Sequence, residues 1–217
     1  MKKLLKITGF ALCTCGILLT SFFLYYILLT ANYRLDESRL KHVENAYCFF
    51  DDQNNKLANI SDHASVVSFS ELSNNTKKAF IAIEDKRFFQ HNGIDYKGLS
   101  RALLHNITSL SLKEGASTIS QQLIKNTHLT NEKTIKRKLI EWKLTRALEK
   151  KYDKNSILEM YLNTIYFGAN AYGIAEASSV YFGKSASELT LEESATLAGM
   201  IKAPSTYSPF LHPQKMH

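Results

Sequence analysis

The stretch Gly115-Ala116-Ser117-Thr118-Ile119-Ser120-Gln121-Gln122-Leu123-Ile124-Lys125-Asn126 is the point from which the rest of the chain is read. A glycine followed by hydroxyl residues has the form of a helix start, where free backbone N–H groups can receive an anion. Gln121, Gln122 and Lys125 add donors on the following turns, and Gln121 and Lys125 share a face by their i,i+4 spacing. The Gly-Lys-Ser/Thr ending of a nucleotide-binding loop is missing. An ordinary capped helix with polar outer residues accounts for the same stretch as well as an anion site does.

Upstream, Glu84-Asp85-Lys86-Arg87-Phe88-Phe89-Gln90-His91-Asn92-Gly93 closes an apolar helix. The helix is a rigid base, and Gly93 lets the chain turn sharply. A carboxylate set there beside Phe88 and Phe89 suits a general base; a solvated, charged helix end is the plainer reading. Downstream, in Arg137-Lys138-Leu139-Ile140-Glu141, both cations project from the same helical side as Glu141. Ile135, Leu139 and Trp142 are expected to face the core, and a solvent-exposed ion pair is the simpler account. Further on, Lys154 to Gly168 places apolar residues at 157, 158, 161, 162 and 165, the pattern of a packed amphipathic helix. Glu159 and Asn163 are its candidates for a polar role.

From Ser73 onward the texture is helical. Ser73 is a credible N-cap ahead of Ala79, Phe80 and Ile83. Helices are predicted over about 95–107, 116–127, 133–151, 154–163, 170–182 and 191–201. Thr190-Leu191-Glu192-Glu193 has the capping-box form, and Pro204 and Pro209 would stop the last helix. Before Ser73, Tyr47-Cys48-Phe49-Phe50 and Lys56-Leu57-Ala58-Asn59-Ile60 flank a polar run over Asp51 to Asn55, which predicts a β-hairpin. A further extended run is expected over Ser65 to Phe69. The fold class is therefore mainly α, with a small β-hairpin region and no internal repeat.

At the N-terminus, Ile7 to Ala31 holds no charged residue. As a helix it rises about 37 Å at ~1.5 Å per residue, more than a ~30 Å hydrocarbon core requires. A signal peptide would have a shorter apolar core and small residues at its cut site, whereas Leu29-Thr30-Ala31 is bulky. An uncleaved transmembrane anchor over 7–31 is expected. Lys2, Lys3 and Lys6 favour a cytoplasmic tail over 1–6, with the rest extracytoplasmic. Residues 32–45 read as a short polar stalk, within a stalk-and-strand region over 32–69. With Arg34, those three lysines account for four of 27 basic residues, leaving 23 against 20 acidic. That near balance argues against a nucleic-acid-binding surface. Three cysteines, two of them in the anchor, make no disulfide framework. Cys48 reads as a small apolar strand residue.

In this order, the four clusters closely resemble the glycosyltransferase domain of penicillin-binding proteins and monofunctional peptidoglycan transglycosylases. The family patterns Glu-Asp-x-x-Phe-x-x-His-x-Gly, Gly-x-Ser-Thr-Ile-x-Gln-Gln-x-x-Lys-Asn, Arg-Lys-x-x-Glu and Lys-x-x-Ile-Leu-Glu-x-Tyr-Leu-Asn are all met, over about Ser70 to Leu211. The resemblance implies a lysozyme-like glycosyltransferase domain over 70–217, held at the bacterial cytoplasmic membrane by a single pass. It implies lipid II and the growing glycan strand as substrates, and a separate transpeptidase as partner. By the same resemblance Glu84 is the general base, deprotonating the acceptor 4-hydroxyl as that oxygen attacks the donor's anomeric carbon. Glu141 is the second acidic catalytic residue. Lys125, Arg137 and Lys138 match positions near the phosphates, and Asp85, Ser117, Thr118, Gln121 and Gln122 complete the substrate-binding set. A divalent cation, Mg or Mn, is implied for some family members, and no metal ligand can be read from these residues.

The family continues into a fifth patch of basic and apolar residues, and none follows Ala203-Pro204-Ser205. The domain is therefore expected to be cut short at its C-terminus, leaving its activity open. Ser38-Arg39-Leu40-Lys41 fits Ser-x-x-Lys formally, but there is no Lys-Thr-Gly and no room for a transpeptidase fold. A lytic hydrolase on the same scaffold and a non-catalytic lipid II scaffold are the rival functions. Leu99 to Leu112 suits either a bilayer-facing surface or a buried helix.

Overall fold

The computed structural model describes residues 2–40, 46–50, 56–61, 66–109, 115, 117–130 and 132–204. Among these the order is α1 (Lys2–Thr30), β1 (Ala46–Phe50), β2 (Lys56–Ser61), α2 (Asn74–Glu84), α3 (Tyr96–Thr108), α4 (Ile119–His128), α5 (Ile135–Lys151), α6 (Lys154–Thr164), β3 (Tyr166–Gly168), β4 (Ala171–Tyr172), α7 (Ile174–Phe182) and α8 (Leu191–Met200). The domain is mainly helical, as its periodicity dictates.

α2 to α6 and α8 each begin where a short polar side chain offers its oxygen to an otherwise unpaired amide. Ser73 accepts from the Thr76 N–H at 3.0 Å, the cap expected from sequence. Thr118 caps α4 and Gln121 reaches back to complete a capping box. The helix therefore starts at Ile119, not at the expected residue 116. Thr134 likewise delays α5 to Ile135. Thr190 and Glu193 form the box anticipated for α8.

α4 is the centre of the core. Its Ile119, Leu123 and Ile124 are fully buried in a cluster with Leu144 and Leu148 of α5 and Ile157, Leu158 and Leu162 of α6. α2 lies on α8, where the buried Thr76 and Ser194 hydroxyls meet at 3.0 Å. Phe80 of α2 packs edge-to-face on Phe167, with ring centroids 5.9 Å apart.

Between α6 and α7 the chain forms a hairpin that the sequence pattern does not reveal. β3 and β4 pair antiparallel around Ala169 and Asn170, whose φ values of 47° and 63° make a tight left-handed turn. Gly173 follows at φ 82°, and a Cβ there would lie 2.8 Å from the Asn163 carbonyl oxygen. The predicted helix over 170–182 is therefore shortened to begin at Ile174.

The early β-hairpin is present: β1 and β2 are antiparallel, with Ala46 opposite Ser61 and Tyr47 opposite Ile60. Its turn over 51–55 and the surroundings of Cys48 lie outside the described residues, as do residues 41–45 of the stalk, Ser65, Leu110–Leu112, Pro209 and the C-terminal stretch expected to be cut short. The extended run before α2 is not a strand. Instead Asn163 grips the Val67 N–H and carbonyl at 3.0 and 2.9 Å, and Glu159 accepts the Phe69 N–H at 2.5 Å. These two α6 side chains thus serve the backbone.

Within α1, Leu12–Thr30 is long and apolar enough to cross a membrane, and side chains such as Leu18, Phe22 and Leu28 are exposed. Cys13 and Cys15 are free and exposed on it. Its end is fastened to the domain: Thr30 is buried, and its carbonyl accepts from the Lys143 ammonium at 2.5 Å. Residues from part of the expected short polar stalk are docked on the domain. Leu40 enters the core, and Glu37 takes the Tyr152 hydroxyl at 2.9 Å and the Lys151 ammonium. Their polarity faces α5 partners, which composition alone does not disclose.

Asn163→Ala strands both backbone groups of Val67. It should lower the unfolding free energy by about 2–3 kcal/mol, read from chemical denaturation followed by the fluorescence of the single tryptophan, Trp142.

Candidate active site

A cleft of about 790 Å³ opens where the end of α2, the start of α3 and the approach to α4 converge. Glu84, Asp85, Ser117, Thr118 and Gln122 all line it. Glu84 is the last residue of α2. Its Oε2 accepts from Gln122 Nε2 at 2.7 Å. Its other oxygen, Oε1, is buried and meets no hydrogen-bond donor among the described residues. A carboxylate with one oxygen fixed and one left free is the geometry of a proton acceptor. The far end of Gln122 accepts the Tyr161 hydroxyl at 3.2 Å. Tyr161 is fully buried, and desolvation, then the charges of Glu84 and Asp85, push its phenol well above the usual range.

Asp85 fixes the position of this carboxylate relative to α4. It is buried, its Oδ2 accepts from the Ile119 N–H at 3.2 Å, and it lies 3.0 Å from His91 Nε2. The bond joins the end of α2 to the first amide of α4, where the helix dipole favours negative charge. Thr118 adds a second tie, donating its hydroxyl to the Gly93 carbonyl at 2.5 Å. Gly93 has φ 86°, and a Cβ there would lie 2.7 Å from Thr145 Cγ2, so glycine alone allows this approach.

Cations and acids share the cleft walls. Lys86, Arg101 and Lys202 line it alongside Arg87. Arg87 is engaged by Asp95 at 2.6 Å. Burial works against the Asp95 charge, but the Arg87 hydrogen bonds, the Gly98 amide and the Arg87 charge outweigh it and hold the carboxyl below its ordinary value.

Glu141 belongs to a second, adjacent cluster. It is 2 % exposed, so the exposed ion pair expected from spacing is not what forms. Gln121 Nε2 donates to it at 3.0 Å, the Lys138 ammonium binds the same oxygen, and Arg137 Nη1 stands 3.8 Å from the other. Removing a partner from such a buried pair costs about 3–5 kcal/mol. Arg137 Nε and Nη1 are buried and meet no hydrogen-bond acceptor among the described residues. Lys125 is exposed on α4 and forms no ion pair among the described residues.

Glu141 is already compensated by two cationic side chains, and among the described residues no three His, Cys, Asp or Glu side chains gather to hold a metal. These side chains do not by themselves fit such an ion.

The ten sequence-predicted residues thus fall into two linked groups, five at the cleft and four around Glu141, with Lys125 outside both. Phe88 and Phe89 differ from expectation. Phe88 is buried with its ring edge on His91 and beneath the Lys154 ammonium, and Phe89 is exposed. Sequence reasoning missed Tyr161, Arg101 and Lys202. Only the Tyr-Leu-Asn of the fourth motif carried a signal for the first of these, and Tyr161 sits at an apolar position of the helix pattern.

A half-buried carboxylate, engaged through one oxygen, thus lines a cleft in a mainly helical, lysozyme-like domain. The chain belongs to the transglycosylase family: the family described as "Transglycosylase" matches residues 53–217. It is 45% identical over 191 residues to penicillin-binding protein 1F of Bacillus subtilis (strain 168), covering 87% of this chain and 26% of that protein. It is 47% identical over 180 residues to penicillin-binding protein 1A of Clostridium tetani, covering 80% and 23%. It is 44% identical over 183 residues to penicillin-binding protein 1A/1B of Bacillus subtilis (strain 168), covering 83% and 20%. The chain spans about a quarter or less of the length of these curated relatives.

Asp85→Ala removes the acceptor for two buried donors. It should cost about 2–4 kcal/mol of stability, whereas Ser117→Ala, at an exposed position, should stay within about 0.5 kcal/mol; paired denaturation curves compare them.

Proposed function

We propose that the chain is a peptidoglycan glycosyltransferase that polymerises lipid II into glycan strands. The observation that carries this reading is Glu84 Oε1, a buried carboxylate oxygen that meets no donor among the described residues, at a cleft lined by Lys86, Arg87, Arg101 and Lys202. Glu84 takes the proton from the acceptor sugar's 4-hydroxyl. That oxygen attacks the donor's anomeric carbon, and the bond to pyrophosphate breaks with its electron pair leaving on the phosphate oxygen. Arg137, with two donors that meet no hydrogen-bond acceptor among the described residues, and Lys138 and Lys125 are assigned to the charge that develops on the leaving group. Glu141 positions the first two of these cations. Membership of the transglycosylase family supports this reaction class.

The same proposal places the domain on a membrane. α1 supplies the span, and Lys2, Lys3 and Lys6 put its N-terminus in the cytoplasm. α3 supports a second contact: Leu103, Leu104 and Ile107 are 60%, 66% and 62% exposed, which argues against a buried core helix. A tethered enzyme meets a membrane-borne substrate at high effective concentration. The strands made would be cross-linked by a separate transpeptidase.

The test uses labelled lipid II and the intact chain. Polymer should form, and Glu84→Gln should lower the rate by about 10²–10⁴-fold while leaving the melting temperature near that of the wild type. Fragments released from preformed peptidoglycan would instead identify a lytic hydrolase. Placement on the bilayer is checked separately. An environment-sensitive fluorophore at Leu104→Cys, with the native cysteines replaced, should shift to the blue in liposomes relative to the same label at Lys150→Cys.

A further inference from the structure

We propose that Tyr161 is a positioning residue that fixes the orientation of the Gln122 amide and thereby keeps Glu84 ready to accept a proton. The proposal rests on the reading of Glu84 as the base. Three side chains from three helices form one hydrogen-bonded row. The Tyr161 hydroxyl of α6 donates to Gln122 Oε1 of α4 at 3.2 Å, and Gln122 Nε2 donates to Glu84 Oε2 of α2 at 2.7 Å.

A carboxamide has a donor end and an acceptor end. As it stands, Gln122 turns its donor to Glu84, which favours the ionised, base-competent carboxylate. Turned over, it would present oxygen to Glu84 and could bond only to the protonated acid. Tyr161 decides between the two. It is fully buried, and Gln122 Oε1 is the acceptor its hydroxyl meets. Reversing the amide would strand that buried O–H, which folded proteins avoid. Burial and the neighbouring acids hold the phenol protonated far above neutral pH, so it stays a donor wherever the enzyme works. Tyr161 is packed inside the core and needs no contact with substrate. Its part is orientation, and no proton passes through it.

The charged groups that share the cleft with Glu84 are Asp85, Lys86, Arg87, Asp95, Arg101 and Lys202. Tyr161→Phe alters none of them and keeps the buried ring. A change in pH behaviour therefore reports the lost hydroxyl.

Two measurements on the full chain test this: the pH profile of lipid II polymerisation, and a carbon-13 NMR titration of the glutamate carboxylates, with Glu84 assigned by its loss in Glu84→Gln. Tyr161→Phe should move the acidic limb of the profile and the Glu84 titration midpoint upward by about half a pH unit. The rate constant should fall below neutral pH, with KM within about two-fold of the wild type. In a Gln122→Met background the Tyr161→Phe change should shift the titration no further, because its effect passes through the amide. Polymerisation that survives Glu84→Gln would sink the base assignment itself. A Glu84-dependent profile and titration left unmoved by a folded Tyr161→Phe overturns the role of Tyr161 alone. Should Tyr161→Phe fail to fold, 3-fluorotyrosine at this position, nearly isosteric and a stronger donor, must shift the titration downward; no shift rejects the proposal.

Discussion

The Asp85 carboxylate accepting the Ile119 amide is the constraint on which the site depends. It joins the C-terminal end of α2 to the N-terminal end of α4, and the Gln122 amide on Glu84 ties the same two helices one turn further on. Ile119, the donor, is also the first fully buried residue of the core helix. The bond therefore orients α4 about its own axis as well as placing its end. Adjacent residues on a helix point about 100° apart. Once α4 is fixed, Gln121 must face the Glu141 cluster if Gln122 faces Glu84. Two neighbouring glutamines thus become the link between two acidic sites, each with its amide donating to a carboxylate at 3.0 and 2.7 Å.

Much of the helical frame was legible because helix starts are written in local chemistry. Ser73 and Thr190 act within three residues of themselves, and sequence spacing sufficed to find both caps, whereas Thr118 and Thr134 set starts a few residues later than periodicity suggested. The errors arose where a local rule met a distant one. Residues 166–172 run straight out of an amphipathic helix, and the hairpin there depends on Ala169 and Asn170 accepting positive φ so that Gly173 can lie against Asn163. Residues 35–40 read as polar stalk because Glu37 and its partners Lys151 and Tyr152 are more than a hundred positions apart. The site shows the same division. Glu84, Asp85 and Gln122 stood out as polar residues in ordered motifs. Tyr161 did not, since periodicity counts its ring as core and its hydroxyl acquires meaning only once α4 lies beside α6.

The two glutamates show how environment separates roles that sequence cannot. Both are acids on helices, and both accept an amide from α4. Glu141 is additionally held by Lys138 and Arg137, so its charge is spent within the protein and its geometry is locked. A group so engaged would have to break charge-assisted contacts before taking a proton, and such contacts are the costly ones to lose. Among the described residues, Glu84 has a single neutral donor on one oxygen and none on the other. Its free oxygen can change protonation without disturbing an ion pair. Paired acids whose surroundings differ in this way divide catalytic labour. Under the proposed function, Glu84 is the group that exchanges a proton and Glu141 the group that holds cations in place. Arg137 then carries the consequence outward. Its hold on Glu141 is loose, at 3.8 Å, and its buried Nε and Nη1 meet no hydrogen-bond acceptor among the described residues. Under the proposed function, those two nitrogens are the donors offered to a pyrophosphate leaving group.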